Sequence, residues 1–340
     1  MASSTRRYQL TQSGNALVLR QGSVPLAEPG PEQVLLRMHA ASLNYRDLLT
    51  QQDTASTQDG LVPLSDGAGE VLAVGAGVDR WKRGDRVMPN FFPGWVGGRF
   101  SPSHLGRALG GGATDGVLRD HMVVDQTALA AIPATLSYAE AATLPCAGLT
   151  AWHALFERGG LQAGDTVLVQ GTGGVAVFGL QLATAAGAKV IVTSSSDAKL
   201  ARARDLGAWH TINYRTQPEW QRVVLELTGG QGVDHILELG GPDTYDRSIA
   251  AIAPGGKIAQ IGVLTGFASQ PNILPLQFKN ASIHGICVGS VEQLSRLAQF
   301  MSQHNIKPVI HETFAFDAVP TAYDRLKSAS HFGKLVVNIA

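Results

Sequence analysis

The chain has 340 residues, of which 44% are hydrophobic and 16% are charged. Lys plus Arg and Asp plus Glu both number 27, so the zero net charge argues against a nucleic-acid or anionic-membrane partner. No apolar run approaches the roughly 18 residues of a transmembrane helix, and the first ten residues lack the apolar stretch of a signal peptide. Two cysteines, Cys146 and Cys287, exclude a disulfide framework and fit a reducing cytoplasm.

The first third of the chain is predicted to be rich in β-structure. Short apolar runs alternate with Gly, Pro, Asp and Asn, and they predict strands at 16–19, 34–38, 70–74 and 86–88. Residues 90–116 are rich in Gly and Pro and show no periodicity, which indicates a binding loop or a disordered segment. The aromatic residues Phe91, Phe92, Trp95 and Phe100 favour a cleft wall over disorder.

Two helices are predicted next. Ser137 and Glu140 have the spacing of a capping box, so a helix is expected over 137–146. A second helix over 148–158 would carry Thr150 and His153 toward a domain interface. A core or surface role for His153 is weighed above a catalytic one.

The segment 166–193 has the pattern of a strand at 166–170, a glycine turn, a helix and a second strand at 189–193. Gly171 permits a tight turn, Gly173 lets the backbone approach a pyrophosphate, and Gly174 begins a helix with unpaired N–H groups. Thr172 and Val175 complete the predicted dinucleotide site, and Ala176 takes the place of the third glycine of the usual motif. The alternative is a glycine-rich turn without a ligand.

The end of the second strand decides between the two nicotinamide coenzymes. An NAD site has an acidic residue about 20 residues beyond the first glycine. Here Ser194 and Ser195 offer hydroxyl and N–H groups that suit a 2′-phosphate, so NADPH is predicted as the cofactor. Asp197 argues against this choice, but it falls late and is also typical of a helix N-cap.

Strands and helices continue to alternate toward the C-terminus. Helices are predicted at 219–228, 245–252 and 291–304, and strands at 233–239, 257–262, 282–288, 309–314 and 334–339. This alternation predicts a doubly wound parallel sheet. We expect a nucleotide domain at 132–280, inserted into a β-rich domain at 1–131 and 281–340, with a small-molecule substrate in the cleft between them.

A set of motifs spread over nearly the whole chain resembles the medium-chain dehydrogenase/reductase superfamily, in its zinc-free quinone oxidoreductase-like branch. The motifs are SLNYRD (42–47), PLSDGAGEV (63–71), GDRV (84–87), LPCAGLTAW (144–152), GDTVLVQGTGGV (164–175) and INYR (212–215). The resemblance implies an α/β fold in which a Rossmann domain is inserted in a GroES-like catalytic domain. It also implies a homodimer that pairs through the strand at 282–288.

The resemblance also assigns residues to the cofactor. It implies that Lys199 and Tyr214 hold the 2′-phosphate, that Asn44 lies beside the nicotinamide and that Thr150 lies near the ribose or the phosphates. Further residues expected to line the same site are Gly240, Val263 and Lys334.

No metal site is predicted. The zinc alcohol dehydrogenases of this fold bind their catalytic zinc with a thiolate, an imidazole and a second thiolate or carboxylate. In this chain Asn44 stands at the first cysteine position, Asp66 follows Leu64 and Ser65 where the histidine motif would be, and only Cys146 matches a ligand position.

The chemistry expected without a metal is hydride transfer from NADPH to a quinone or an α,β-unsaturated carbonyl compound. Asn44 and Tyr45 are the catalytic candidates: Asn44 would orient the acceptor, and Tyr45 would stack on it or donate a proton, or would only pack. Arg46 is expected to pair with Asp66, or to contact a substrate carboxylate. The alternatives are an alcohol dehydrogenase of the same superfamily and a catalytically silent NADPH-binding relative.

Overall fold

The structure is a computed structural model, and it describes residues 4–268 and 270–340. In chain order the strands are β1 (Ser4–Ser13), β2 (Ala16–Pro25), β3 (Gln33–Ser42), β4 (Asp66–Val74), β5 (Arg86–Pro89), β6 (His121–Asp125), β7 (Leu129–Ala131), β8 (Thr166–Gln170), β9 (Lys189–Ser194), β10 (His210–Asn213), β11 (Val233–Glu238), β12 (Ile252–Gln260), β13 (Ser282–Gly285), β14 (Ile310–Ala315) and β15 (Lys334–Asn338). The α-helices are α1 (Tyr45–Gln52), α2 (Tyr138–Ala141), α3 (Leu149–Trp152), α4 (Gly174–Ala185), α5 (Asp197–Asp205), α6 (Trp220–Leu227), α7 (Tyr245–Ala251), α8 (Leu274–Lys279), α9 (Val291–Gln303) and α10 (Val319–Lys327).

The chain divides into two compact units. The first unit is Met1–Leu149 with Val288–Ala340, and the second is Thr150–Cys287. Both boundaries lie later in the chain than the predicted ones at 131/132 and 280/281. The reason is that α2 packs against β3 and β4 of the first unit, whereas β13 pairs with β12 in the sheet of the second.

The first unit is built mainly of antiparallel strands. Its large sheet has the order β14-β15-β3-β4-β5-β7. On the same edge of β3, β15 pairs with residues 40–42 and β6 pairs with residues 33–37. Only β14 and β15 are parallel neighbours in this sheet. β1 and β2 form a separate two-stranded hairpin. The core of the first unit comes from residues that alternate along the strands of the large sheet, among them Leu36, Met38, Val71, Val87 and Val337, which are almost fully buried.

The second unit is a doubly wound parallel sheet, as predicted. Its strand order is β10-β9-β8-β11-β12-β13, and every neighbouring pair is parallel. The chain runs outward from β8 to β10 and then returns to β11 on the other side of β8. The direction of winding therefore reverses between β8 and β11, and ligands of such sheets bind at the carboxyl ends of the strands at that point.

Close packing of helix α4 on this sheet depends on a glycine that the motif did not indicate. Ala176 is buried, but a Cβ added to Gly179 would collide with the side chain of Leu237 on β11. The close helix–strand approach therefore occurs at Gly179, three residues after the position at which the motif places its third glycine.

The long segment at 90–116 contains one short 3₁₀ helix, Pro102–Arg107. Phe91, Phe92 and Trp95 are buried and contact one another or Phe100 edge to face, while Phe100 is 39% exposed. The aromatic residues thus give this loop a small core of its own. Of the four rings that were expected to form a cleft wall, only that of Phe100 is substantially exposed.

The other predicted elements differ from the structure mainly in extent. The helices expected at 137–146 and 148–158 occur as α2, followed by a helical stretch with two π-helical segments, Leu144–Gly148 and His153–Arg158, on either side of α3. The capping box of Ser137 and Glu140 is present. No helix among residues 4–268 and 270–340 is long and apolar enough to cross a membrane.

Candidate functional site

The glycine turn after β8 leaves open space at the start of α4. Gly171 has φ +80°, in the left-handed region that favours glycine, and Gly173 has φ −77°. A Cβ added at either position would meet no atom within 4 Å. Gly173 is the N-cap of the 12-residue helix and supplies no side-chain acceptor to its first N–H groups. These groups and the helix dipole suit a bound pyrophosphate. Thr172 is buried in the turn.

The residues predicted to bind a 2′-phosphate lie at the ends of two neighbouring strands. The N–H of Tyr214 donates to the carbonyl oxygen of Ser194 over 3.1 Å, which places Tyr214 next to the last residue of β9. Ser196 caps helix α5 by accepting from the N–H of Lys199 over 3.4 Å. Burial lowers the pKa of Lys199, with a smaller effect from Arg202. The structure therefore brings Ser194, Ser195, Lys199 and Tyr214 to the same end of the sheet.

Asp197 was considered as a ribose-binding acid and as a helix N-cap, and the structure gives it a different position. The N-cap of α5 is Ser196, and Asp197 is the first residue of the helix. Its Oδ1 accepts from Nδ2 of Asn213 over 2.8 Å, so its carboxylate is already engaged by the neighbouring strand β10.

The loop after β11 is held by a buried carboxylate that the sequence did not single out. Oε1 of Glu238 accepts from the N–H groups of Gly240 and Gly241 over 3.0 and 3.1 Å. Its other oxygen accepts from Nε2 of Gln170 over 2.8 Å, at the end of β8. Glu238 and Gln170 thus fix Gly240 at the point where the winding of the sheet reverses. The sequence signal was a Gln and a Glu that each follow apolar residues at the end of a strand, Val-Leu-Val before Gln170 and Ile-Leu before Glu238.

The remaining candidates of the second unit are more loosely defined. Thr150 and His153 are buried in the helical stretch that begins this unit, and Val263 is half-buried in the loop after β12. None of the three has a contact that by itself indicates a ligand.

In the first unit Lys334 and Asn44 form the centre of a buried polar cluster. Lys334 is 3% exposed, and its Nζ donates to the backbone oxygen of Leu43 and to Oδ1 of Asn44, both over 2.5 Å. An ammonium group can only donate, so the amide oxygen of Asn44 must face Lys334. Nδ2 of Asn44 is then left as a donor. It is buried and makes no hydrogen bond of good geometry with the described residues, although it lies near enough to the carboxylate of Asp66 to lower the pKa of that group.

Asp66 supplies the negative charge of this cluster. It is fully buried, and its oxygens accept from the hydroxyl of Ser65 over 2.6 Å and from the N–H of Cys146 over 3.0 Å. Burial raises the pKa of Asp66, and the charge of Lys334 opposes that shift. Burial likewise lowers the pKa of Lys334, and Asp66 opposes it. Each group therefore helps to keep the other charged.

A second buried carboxylate, Asp47, lies in the first turn of helix α1. Its Oδ2 accepts from the N–H of Asn44 over 2.7 Å, which orients the residue that carries the free amide donor. Burial raises the pKa of Asp47 to about 6, although the charge of Arg46 acts in the opposite direction.

The residues next to Asn44 do not have the contacts expected of them. Tyr45 is 43% exposed, and its hydroxyl has no hydrogen-bond partner among the described residues, so it does not join the buried cluster. The predicted ion pair of Arg46 with Asp66 is wrong. Arg46 lies 3.5 Å from Asp47 instead, donates to the carbonyl of Leu109 over 2.9 Å and stacks over the ring of Phe91. The carboxylate of Asp66 instead interacts with the charge of Lys334 and accepts hydrogen bonds from the hydroxyl of Ser65 and the N–H of Cys146.

Comparison with known proteins agrees with both units. The family described as alcohol dehydrogenase GroES-like domain matches residues 30–134, and the family described as zinc-binding dehydrogenase matches residues 174–303. A zinc-type alcohol dehydrogenase-like protein of Schizosaccharomyces pombe is 42% identical over 317 residues, which is 91% of each chain. The chain belongs to the medium-chain dehydrogenase/reductase superfamily. It is accordingly an α/β oxidoreductase with a GroES-like N-terminal domain, and its superfamily uses nicotinamide cofactors.

Relatives of this dehydrogenase/reductase carry different activities in their names. A quinone oxidoreductase of Pseudomonas aeruginosa is 30% identical over 98% of this chain and 99% of its own. A Sinorhizobium meliloti protein assigned as an alcohol dehydrogenase has a TM-score of 0.93 at 44% identity, with 100% of both chains covered. An NAD-dependent alcohol dehydrogenase has a TM-score of 0.88 at 33% identity, with 98% and 100% covered.

The residues of this dehydrogenase/reductase do not fit the zinc that the superfamily implies. The ammonium of Lys334 lies against Asn44, at a position where the family has a zinc ligand, and both oxygens of Asp66 already accept hydrogen bonds. Burial and the charge of Asp66 raise the pKa of the Cys146 thiol well above its usual value, which disfavours the thiolate that zinc needs. Among the described residues, no group of three or more His, Cys, Asp or Glu is arranged to hold a metal.

Proposed function

We propose that this protein is a zinc-independent, NADPH-dependent oxidoreductase that transfers hydride to a quinone or an α,β-unsaturated carbonyl compound. The observation that carries the proposal is the buried pair of Lys334 and Asn44, with Nδ2 of Asn44 left as a donor that meets no described acceptor in good hydrogen-bond geometry. A donor fixed in a buried site stabilises negative charge as it develops on a carbonyl oxygen. Acceptors that are already electrophilic need no stronger polarisation than that.

Each residue of the cluster has a separate task in this proposal. The bound cofactor supplies the hydride. Asn44 donates from Nδ2 to the acceptor oxygen or to the nicotinamide carboxamide, while Lys334 and Asp47 fix its orientation through the side-chain oxygen and the backbone N–H. Asp66 keeps Lys334 charged. Water supplies the proton that completes the reduction.

The choice of NADPH rests on the carboxyl ends of β9 and β10. Ser194 and Tyr214 are adjacent there, and Lys199 lies in the first turn of the following helix. The nearest carboxylate, that of Asp197, is engaged by Asn213. This combination of hydroxyl groups and a lysine suits a 2′-phosphate better than a free ribose hydroxyl.

The test is an acceptor and cofactor panel on chelator-treated protein. We expect quinones and enones to oxidise NADPH with a kcat/KM at least tenfold higher than with NADH, and the rate to be unchanged by added zinc. Lys199→Ala should raise the KM for NADPH about tenfold and leave that for NADH unchanged, whereas Lys82→Ala, at an exposed lysine, should change neither. A requirement for stoichiometric zinc, or a preference for NADH, contradicts the proposal.

A second candidate is alcohol dehydrogenase activity, because several relatives carry that name. The same protein samples decide between them. If primary or secondary alcohols reduce NADP⁺ or NAD⁺ faster than quinones and enones oxidise NADPH, the alcohol assignment holds. If NADPH binds but no acceptor is turned over, the protein is a silent relative.

We also propose that the protein acts as a homodimer in a reducing compartment such as the cytoplasm, where both free cysteines stay reduced. β13 is an edge strand of the second unit's sheet, and Ile283 on it is 38% exposed. Ile273 and Phe278, close by in sequence, are 62% and 81% exposed. Antiparallel pairing of β13 with its copy about a two-fold axis would extend the sheet and cover these side chains.

A further inference from the structure

A small cavity of the first unit lies apart from the polar cluster of Asn44 and Lys334. Its volume is about 210 Å³. This is smaller than the ~300–1,000 Å³ of pockets that hold drug-sized ligands, so only a small molecule fits. Two arginines, a histidine and a threonine meet aliphatic side chains in its lining, which consists of Thr5, Arg7, Val24, Pro25, Leu26, Ala27, Leu35, Arg119, His121, Met122 and Val123.

The two arginines of this cavity face each other. Arg7 on β1 and Arg119 are partners in an isolated antiparallel bridge. The bridge is held by hydrogen bonds from the N–H of Tyr8 to Leu118 and from that of Asp120 to Arg6, of 3.0 and 2.9 Å. Side chains directly opposite in an antiparallel pair lie close together on one face, where like charges are destabilising. Burial lowers the pKa of Arg119. The charge of Asp115 opposes this shift, and the charge of Arg7 adds to it by a smaller amount.

Neither guanidinium is fully satisfied by the protein. Nε of Arg7 and Nε of Arg119 are buried without a hydrogen-bond partner among the described residues. Among the described residues, the only carboxylate at ion-pair distance from either guanidinium is Asp115, whose Oδ2 lies 3.7 Å from Nη1 of Arg119, too far for a hydrogen bond. The side chain of Arg7 has no ion pair with the described part of the chain. Two cations and two buried donors thus converge on a cavity that offers them one distant carboxylate.

We propose that this cavity binds a small organic anion, a carboxylate with a short aliphatic chain, held between Arg7 and Arg119. The planar guanidinium presents paired donors that match a carboxylate. The aliphatic chain would lie against Leu26, Leu35 and Met122, which line the rest of the cavity. The inference is independent of the proposed reductase activity.

Binding there would also act where β1 meets the large sheet. β1 pairs with β2 in a hairpin and reaches the segment before β6 through the Arg7–Arg119 bridge, and β6, which begins at His121, pairs with β3 of the large sheet. An anion between Arg7 and Arg119 would relieve the repulsion across the bridge that joins them. Occupancy should therefore raise the thermal stability of the first unit.

The experiment uses hexanoate, its neutral counterpart hexanamide and inorganic sulfate, added to the full chain at low ionic strength. Titration calorimetry should show saturable binding of one hexanoate per chain, and hexanoate should raise the melting temperature. Hexanamide and sulfate should each bind at least tenfold more weakly. Equal binding of hexanamide overturns recognition of the charge, equal binding of sulfate overturns the role of the aliphatic wall, and no saturable hexanoate binding overturns the site itself.

Variants separate the site from nonspecific charge effects. Arg7→Gln and Arg119→Gln should each weaken hexanoate binding at least tenfold, while Arg20→Gln, at an exposed arginine of the same hairpin, should leave it unchanged. Without ligand, Arg7→Gln should melt at the same temperature as the wild type or higher, because a repulsive pair has been removed. Unchanged hexanoate affinity in either cavity variant would refute the proposal.

Discussion

Lys334 and Asp66 show how a buried pair of opposite charges can decide the chemistry of a site. Both are almost fully buried, and each has a pKa that burial alone would move toward its neutral form. Their mutual attraction opposes this, and it places a fixed positive charge beside Asn44. In a zinc enzyme of this fold, the positions of Asn44 and Cys146 and the segment that ends at Asp66 would hold a divalent cation. Here the positive charge comes from the chain itself, and it orients an amide rather than binding substrate oxygen.

Removing that charge should cost both stability and activity. Lys334→Met keeps the length of the side chain but leaves Asp66 buried without its cation, so we expect the free energy of unfolding to fall by about 3–5 kcal/mol. The double variant Lys334→Met/Asp66→Asn should recover part of this loss, and Lys82→Met should lose nothing measurable. Urea denaturation at pH 7 gives all three values. A single variant as stable as the wild type would show that the pair is not coupled.

Asp47 predicts a pH dependence with an unusual sign. Its pKa in the folded protein is about 6, above the ordinary value of 3.8, so between these pH values the folded state binds more protons than the unfolded state. Its contribution to stability is complete below pH 4 and is lost as the pH rises through 6. Relative to Asp47→Asn, the wild type should therefore lose about 3 kcal/mol of unfolding free energy between pH 4 and pH 7.

Denaturation curves of the two proteins at a series of pH values measure this difference. Asn retains an acceptor for the N–H of Asn44, so the variant is a matched control for shape. A difference that is constant from pH 4 to pH 7, or that grows in favour of the wild type, would contradict a raised pKa at Asp47.

At the scale of elements, local patterns were enough for the segment from β8 to β9. Strand β8 was predicted with its observed bounds, and β9 with one residue fewer than it has. Here a buried strand, a glycine turn and a helix follow one another, so each residue's neighbours in sequence determine its conformation. Helices α1, α8 and α10 were not predicted. α1 and α8 are short and have no regular apolar face, since α1 buries only Asp47 and Leu48 and α8 buries no residue. α10 has the helical spacing i, i+3, i+4, i+7 in its buried residues, a pattern that was overlooked in the sequence.

The polar cluster could be predicted only in part, for a different reason. Asn44 and Lys334 were singled out, but the contact between them joins residues 290 positions apart. The pairing of strands β15 and β3 creates that contact, and no local pattern contains it. The predicted ion pair of Arg46 with Asp66 is wrong for the same reason. The contacts of Asp66 come from residues distant in sequence, such as the backbone N–H of Cys146, and no local pattern shows them.

The glycine turn gives a test in which binding and folding separate. Gly173 has a φ of −77° that any residue can adopt, and a Cβ there meets no atom within 4 Å. Gly173→Val should thus still fold, with a loss of at most about 1 kcal/mol, because valine is a poorer helix N-cap than glycine. The added side chain would occupy the space proposed for the pyrophosphate, so the Kd for NADPH should rise at least tenfold. Fluorescence titration measures it, with Gly106→Ala, at another open glycine, as the control.

At the scale of the whole molecule, the exposed edge of the second unit is the feature left unexplained by a single chain. An edge strand without charged residues or proline invites pairing with another strand, and β13 reads Ser-Ile-His-Gly. Phe278, at 81% exposure, is among the most exposed large apolar residues of the described chain. Both facts are expected of a surface that a second copy covers, because a two-fold axis brings the same strand and the same side chains together.

This gives a prediction for the assembly. The wild type should have the mass of a dimer by light scattering at micromolar concentration, and Ile283→Lys or Phe278→Asp should shift it to the monomer, because each places a charge in an apolar contact. Leu105→Asp is the matched control, since Leu105 is 56% exposed and belongs to the first unit. It should remain dimeric. A monomeric wild type contradicts the dimer. If Leu105→Asp dissociates the dimer while Ile283→Lys and Phe278→Asp do not, the contact lies elsewhere on the molecule.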